Sequence, residues 1–216
     1  MAVYSRDESI RIPLLGWISS FISEPHLNEI EHYCLMKALI SKWILALFGW
    51  KVNGLYTGEV KSFVITVAPH TSNWDFVWGI LARNVYRLNA KYLIKNSFFK
   101  PGIGWFFRMT GGIPVDRSKK SDLTDRIKGM LASGKDLQVV FTPEGTRKRV
   151  EKWKTGFYWV AVDSGLPIVM HSIDYEKKEF DTRAPFYPTG DWEVDKLAFE
   201  EFYVDKTAGN PEGFNP

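Results

Sequence analysis

The sequence predicts an α/β fold: a mixed, largely parallel sheet flanked by helices, with a helical segment ahead of it. Two observations predict it. Short β-branched apolar runs alternate with helix-length amphipathic stretches from residue 61 onward, the pattern of strand–helix–strand crossovers. The runs are only four to nine residues long and are bounded by Gly, Pro or polar clusters, which suits buried strands.

Residues 10–22, "IRIPLLGWISSFI", are apolar but interrupted by Pro13 and Gly16. Residues 27–48 read as a helix with Lys37, Ser41 and Lys42 on one side, and Trp17, Trp43 and Trp50 punctuate the region. It is either interfacial, lying on a membrane, or packed on the main domain. "SFVITVA" (62–68) is the first strand, followed by a helix from about Ser72 to Leu88. "KYLI" (91–94) and "GGIPVD" (111–116) are the next two strands, and residues 121–133 form a helix capped by Gly134. "LQVVFT" (137–142), a helix over 154–164 and "PIVMHSIDY" (167–175) follow, with 179–187 pairing beside the last strand. The expected organisation is a helical segment over 1–50, one domain over 51–204 and a loose polar tail over 205–216.

With 216 residues and 45% hydrophobic content, the chain is long enough to bury a core and too apolar to be disordered. A net charge of +3 is weak for a generic nucleic-acid binder, so none is expected as a partner. One cysteine excludes an internal disulfide and permits a reducing compartment. No secretory signal is visible, and no run reaches the roughly 18 apolar residues of a transmembrane helix. His26, His32 and His171 lack metal-ligand spacing, so no metal is implied. "GMLASGKD" (129–136) resembles a phosphate loop, but Asp136 lacks the required hydroxyl and the stretch ends a helix rather than opening one.

"PHTSNWDF" (69–76) sits where the first strand hands over to a helix, at the sheet edge where α/β proteins bind ligands. Ser72 is a good N-cap, and Asp75 three residues on would complete a capping box. The alternative is chemical. His70 lies before the helix, so a turn through Thr71, Ser72 and Asn73 allows Asp75 to accept a hydrogen bond from one imidazole nitrogen. The other nitrogen is then left to take a proton from a hydroxyl. "GGIPVDRS" (111–118) and "FTPEGTR" (141–147) also follow strands, placing Arg117 and the turn Glu144, Gly145, Thr146 and Arg147 at the same edge. Guanidinium forks and outward backbone N–H groups suit phosphate oxygens, although a surface salt bridge is the commoner fate of an arginine.

His70-x4-Asp75, "GGIPVDR", "FTPEGTR" and "LPIVMHSI" resemble, in order, the four blocks of the glycerolipid acyltransferase (PlsC-like) family, which includes the 1-acylglycerol-3-phosphate acyltransferases. The resemblance covers roughly residues 50–180 and implies a glycerol-3-phosphate acyltransferase-like fold. Pro69, Thr142 and the Met170–His171 pair depart from the usual blocks, whereas the histidine and aspartate match.

The resemblance implies acyl transfer from a CoA or acyl-carrier-protein thioester to a hydroxyl of a lysolipid or polyol-phosphate acceptor. His70 would be the general base and Asp75 its orienter. Arg117, Glu144, Gly145, Thr146 and Arg147 would hold the acceptor phosphate, and Lys95 matches a basic family position nearby. No cofactor is expected beyond the thioester co-substrate. "RKRVEKWK" (147–154), with five cations and one acid, is either a solvated face or a contact for anionic lipid or CoA phosphates. The aromatic stretch "FFKPGIGWFF" (98–107) is expected in the core rather than in an acyl tunnel. The rival functions are a thioesterase-like hydrolase and a non-catalytic membrane-surface binding module. The expected location is cytoplasmic, peripherally attached to the inner face of a membrane through residues 10–50.

Overall fold

The computed structural model describes residues 29–54, 60–115, 125, 127–131 and 136–215. Helix α1 (Glu29–Leu47) leads into the two-residue strand β1 (Lys51–Val52). Then come β2 (Phe63–Ala68), α2 (Trp74–Val85), β3 (Ala90–Lys95), the short helix α3 (Gly104–Met109), β4 (Gly112–Val115) and β5 (Gln138–Phe141). Helix α4 (Gly156–Ser164), β6 (Ile168–Asp174), β7 (Glu179–Thr182) and α5 (Trp192–Tyr203) complete the body. Residues 127–131, within the predicted helix over 121–133, are helical.

Among the described residues the strands form one seven-stranded sheet in the order β1-β7-β6-β2-β5-β3-β4. Pairing is parallel from β6 through β4, and β7 runs antiparallel to β6, so the sheet is mixed and largely parallel as predicted. The central strand β2 is buried on both faces, which is why Phe63–Ala68 reads as continuous apolar sequence. Val64 and Ala68 pack with Phe157, Val160 and Ala161 of α4 and with Phe199 and Tyr203 of α5. On the opposite face Leu45, Trp50, Ala82, Tyr86, Ile173 and Phe180 join α1, α2 and the β6–β7 edge into a second core. At roughly 1.5–3 kcal/mol per fully buried large side chain, these two layers outweigh any local propensity.

Helix α1 packs on the body, the second of its two alternatives, with Ala38, Ser41 and Leu45 buried. Ser41, predicted on the polar side, accepts a hydrogen bond from the Asn84 side-chain amide of α2 at 3.0 Å. Residues 205–215, expected to be loose, lie against the body, with Ala208 and Phe214 buried. Arg149 donates to the Phe214 carbonyl at 2.8 Å and Trp153 Nε1 to the Asn215 carbonyl at 3.0 Å. Helix α5 was not anticipated. Asp191 caps it by accepting from the Glu193 and Val194 backbone N–H groups, and Tyr203 seals the core beneath β2 through Thr66.

Candidate active site

Three neighbouring parallel strands, β2, β5 and β3, end on one edge of the sheet. Their register pairs Thr66 with Phe141 and Tyr92 with Val140, so Ala68, Pro143 and Lys95 lie at about the same level. The chain then leaves β2 through a cis Ala68–Pro69 bond into His70, and leaves β5 through Pro143 into Glu144.

Asp75 gathers the turn between β2 and α2. Its Oδ2 accepts from the Ser72 backbone N–H at 2.8 Å and lies 3.1 Å from His70 Nδ1. One carboxylate oxygen therefore both holds the Ser72 N–H and meets the imidazole. The reciprocal half of a capping box is absent, because Ser72 Oγ accepts from the Trp74 N–H at 3.2 Å. The other carboxylate oxygen, Oδ1, accepts from the Tyr175 hydroxyl at 2.5 Å. The Asp75 side chain is 2% exposed against 19% for His70, so the acid is sealed and the imidazole reaches solvent. It is Nδ1, not Nε2, of the imidazole that meets the carboxylate.

Tyr175 was not picked out from the sequence. It stands just past β6, the other neighbour of β2, and burial together with the Asp75 carboxylate pushes its phenol pKa up, so it remains a donor. Its edge meets Trp50 with centroids 5.1 Å apart, and Gly209 of the C-terminal segment lies against its ring, where a Cβ would come within 2.7 Å.

Glu144 is placed differently from the expectation of a surface phosphate ligand. It is 1% exposed, and its Oε1 accepts from the His70 backbone N–H at 2.9 Å, so it braces the His70 turn from beneath. Its Oε2 is buried without a hydrogen-bond partner. Burial, reinforced by the Asp75 charge, pushes its pKa up to about 7 against the opposing effect of the His70 N–H. Gly145 adopts φ +63, a left-handed conformation that glycine tolerates. The Lys154 side chain lies across it: a Cβ there would come within 2.8 Å of Lys154 Nζ. Thr146 Oγ1 accepts from the Lys148 N–H at 3.3 Å, and Arg147 is exposed on the same turn. Lys95 is exposed at the end of β3. Arg117 lies outside the described residues, two positions beyond the end of β4 at Val115.

The basic run 147–154 divides its work. Arg149 holds the C-terminal segment, also donating to Asn215 Oδ1 at 3.0 Å, while Lys154 covers the Gly145 turn. Thr71, inside the His70 turn, accepts from the Asn210 N–H at 2.9 Å, so the C-terminal segment braces that turn. His171 is buried within β6 with Nδ1 3.0 Å from Thr182 Oγ1, and burial lowers its pKa to about 4. Among the described residues no cluster of His, Cys, Asp and Glu is arranged to hold a metal ion.

At the strand edge of an α/β sheet, a solvent-reached imidazole thus meets a sealed carboxylate. The chain belongs to the acyltransferase family: the family model described as Acyltransferase matches residues 50–174, more than half of its length. A 1-acyl-sn-glycerol-3-phosphate acyltransferase of Saccharomyces cerevisiae is 28% identical over 151 residues, 62% of this chain and 49% of that protein. One of Streptococcus pneumoniae is 25% identical over 115 residues, 48% of this chain and 42% of that protein. The chain thus spans about half the length of these relatives or less. The crystal structure of the 1-acyl-sn-glycerophosphate (LPA) acyltransferase PlsC from Thermotoga maritima superposes with a TM-score of 0.57 at 18% identity, covering 90% of each chain, and so shares the fold.

Proposed function

We propose that the protein transfers a fatty acyl group from acyl-CoA or acyl-carrier protein to a hydroxyl of a lysophospholipid or related phosphate-bearing acceptor. The observation that carries the reading is the 3.1 Å approach of His70 Nδ1 to the sealed Asp75 carboxylate in a chain of the acyltransferase family. The names of its relatives, 1-acyl-sn-glycerol-3-phosphate acyltransferases, favour the acceptor class.

In the reaction, His70 Nε2 takes the acceptor's hydroxyl proton as the oxygen attacks the thioester carbonyl carbon. Asp75, held by the Ser72 N–H and Tyr175 hydroxyl, keeps the imidazole in the tautomer with its proton on Nδ1 and stabilises the imidazolium. The tetrahedral oxyanion draws on backbone N–H groups of the turn that follows β5. Its collapse breaks the C–S bond, and the imidazolium returns the proton to the departing thiolate. No covalent acyl-enzyme is required.

Arg147 and Lys95 on the same edge, with Arg117 two residues beyond β4, supply cations for the acceptor's phosphate. Glu144 and Gly145 shape that turn rather than contact the phosphate by charge, and Thr146 closes it. The protein works at the inner face of a membrane, attached peripherally through residues 10–50. Tyr33, Met36, Ile40, Trp43 and Leu47 form an exposed apolar stripe on α1, and no described helix is long and apolar enough to cross a bilayer. The test is a turnover screen of lysophospholipid and polyol-phosphate acceptors against both thioester donors. The reading requires acceptor-dependent thiol release with an acylated lipid product. Thiol release indifferent to every acceptor would instead make the protein a thioesterase.

A further inference from the structure

The excursion between β3 and β4 exposes aromatic side chains that were expected in the core. Trp105 is 61% exposed and Met109 68%, and Phe98, Ile103 and Phe106 are also exposed. On α3, Trp105, Phe106 and Met109 fall at spacings of one and four and so share a side of the helix.

These side chains are presented by a fixed scaffold. A Cβ on Gly104 would come within 2.8 Å of the Phe99 backbone, and one on Gly112 within 2.8 Å of the Phe107 carbonyl, so the chain folds back tightly at both places. Arg83 donates to the Thr110 carbonyl at 2.5 Å, and Tyr92 and Thr110 hydroxyls lie 2.6 Å apart. Beneath the exposed side, Phe107 packs against Phe98 and Phe106 with ring centroids 5.7 and 5.5 Å away.

The charge carried by this segment has one sign. From Lys91 to Val115 the chain carries Lys91, Lys95, Lys100 and Arg108 and no acidic residue. Lys95, Lys100 and Arg108 are exposed, with Arg108 over the Phe99 ring. Exposed Trp, Phe and Met among Lys and Arg, without acids, suit the headgroup layer of a bilayer bearing anionic lipid. A protein partner would leave that excess of cations without a stated counterpart.

The face also adjoins the candidate site. Phe76, next to Asp75 in α2, packs against Phe106 and Phe107 with centroids 6.5 and 6.4 Å away. Lys95 ends β3 on the same sheet edge as His70. We infer that residues 96–109 form a second membrane contact, separate from residues 10–50, which seats on an anionic bilayer and brings the His70 edge to the lipid surface. Its purpose rests on the proposed acylation of a lipid acceptor, while its test reads binding directly.

The experiment uses the full chain and a Trp105→Glu/Met109→Glu variant verified as folded by circular dichroism. Both are sedimented with vesicles of phosphatidylcholine alone or mixed with phosphatidylglycerol. The variant should lose at least tenfold in partitioning onto the mixed vesicles. Its turnover of an acceptor embedded in those vesicles should fall in parallel, while turnover of a short-chain, water-soluble acceptor stays within twofold of wild type. Wild-type partitioning by the folded variant would overturn the inference. So would a wild-type dimer that the substitutions convert to a monomer with vesicle binding unchanged, since the face would then be a contact between copies. Reduced vesicle binding in a protein that acylates no acceptor would overturn the functional reading and leave the membrane contact standing.

Discussion

Tyr175 donates its hydroxyl to Asp75 Oδ1 across 2.5 Å, on the opposite side of the carboxylate from the 3.1 Å approach of His70 Nδ1 to Oδ2. The histidine thus meets an acid that is itself held by a residue just past the end of β6. Tyr175→Phe removes the donor and keeps the ring against Trp50. The expected result is a kcat about tenfold lower, equivalent to about 1.4 kcal/mol of barrier, with acceptor KM within twofold. Steady-state kinetics with each substrate varied in turn check this. An unchanged kcat would show that the Ser72 N–H and local packing alone hold Asp75.

Glu144 gives the protein a pH-dependent stability of unusual sign for a carboxylate. Its folded pKa, raised by burial to about 7, lies above the ordinary value of 4.5, so the folded state binds more protons between those limits. Its contribution is therefore favourable at low pH and is lost as pH rises through about 4.5 to 7. Relative to Glu144→Gln, whose amide oxygen still accepts from the His70 N–H, wild type should lose about 3 kcal/mol across that window and then level off. Urea unfolding of both proteins at pH 5, 6, 7 and 8 measures the difference. A constant difference would mean that Glu144 is ionised throughout.

The C-terminal segment supports the His70 turn as well as the core. Phe214→Ala removes a nearly buried ring, and a loss of about 3 kcal/mol is expected. That corresponds to a Tm roughly 6–12 °C lower for a domain of this size. Removing residues 208–216 also removes the Asn210–Thr71 hydrogen bond and should lower kcat by about tenfold, even at temperatures where the protein remains folded. Retained activity in the folded truncation would confine the segment to packing.

Arg147 is exposed beside Gly145, where a phosphate can reach it. A charge-assisted hydrogen bond of about 1.5–3 kcal/mol predicts that Arg147→Ala raises acceptor KM by roughly ten- to a hundredfold, with donor KM nearly unchanged. A rise confined to the thioester donor would assign Arg147 to the donor's phosphates instead.

The parts legible in the sequence are those encoded locally. Phe63–Ala68 reads as a strand because both of its faces are buried, and His70 and Asp75 are joined through one turn. Tyr175 escaped, and Glu144 reads as a phosphate contact rather than as a brace of the His70 turn, because both depend on strand order: they act on groups 100 and 74 positions away. Helix α5 was obscured because Val194 and Leu197 face solvent while Asp195 is buried, accepting from the Tyr158 hydroxyl at 2.7 Å. Strand β1 is two residues long and exists through its pairing with β7. The C-terminal residues look loose because their composition is polar, and two apolar anchors, Ala208 and Phe214, decide otherwise. The aromatic run at 98–107 was expected inside because its composition is apolar; the tight turn at Gly104 instead turns part of it outward.

The central claim is that His70, oriented by Asp75, takes the proton from the acceptor hydroxyl. The most direct test is kcat of the purified His70→Ala protein with saturating acyl-CoA and a lysophospholipid acceptor, after circular dichroism and thermal unfolding have shown it folded. Loss of the general base predicts a kcat lower by about 10²–10⁴-fold with both KM values little changed. A folded His70→Ala protein with kcat within about twofold of wild type would contradict it.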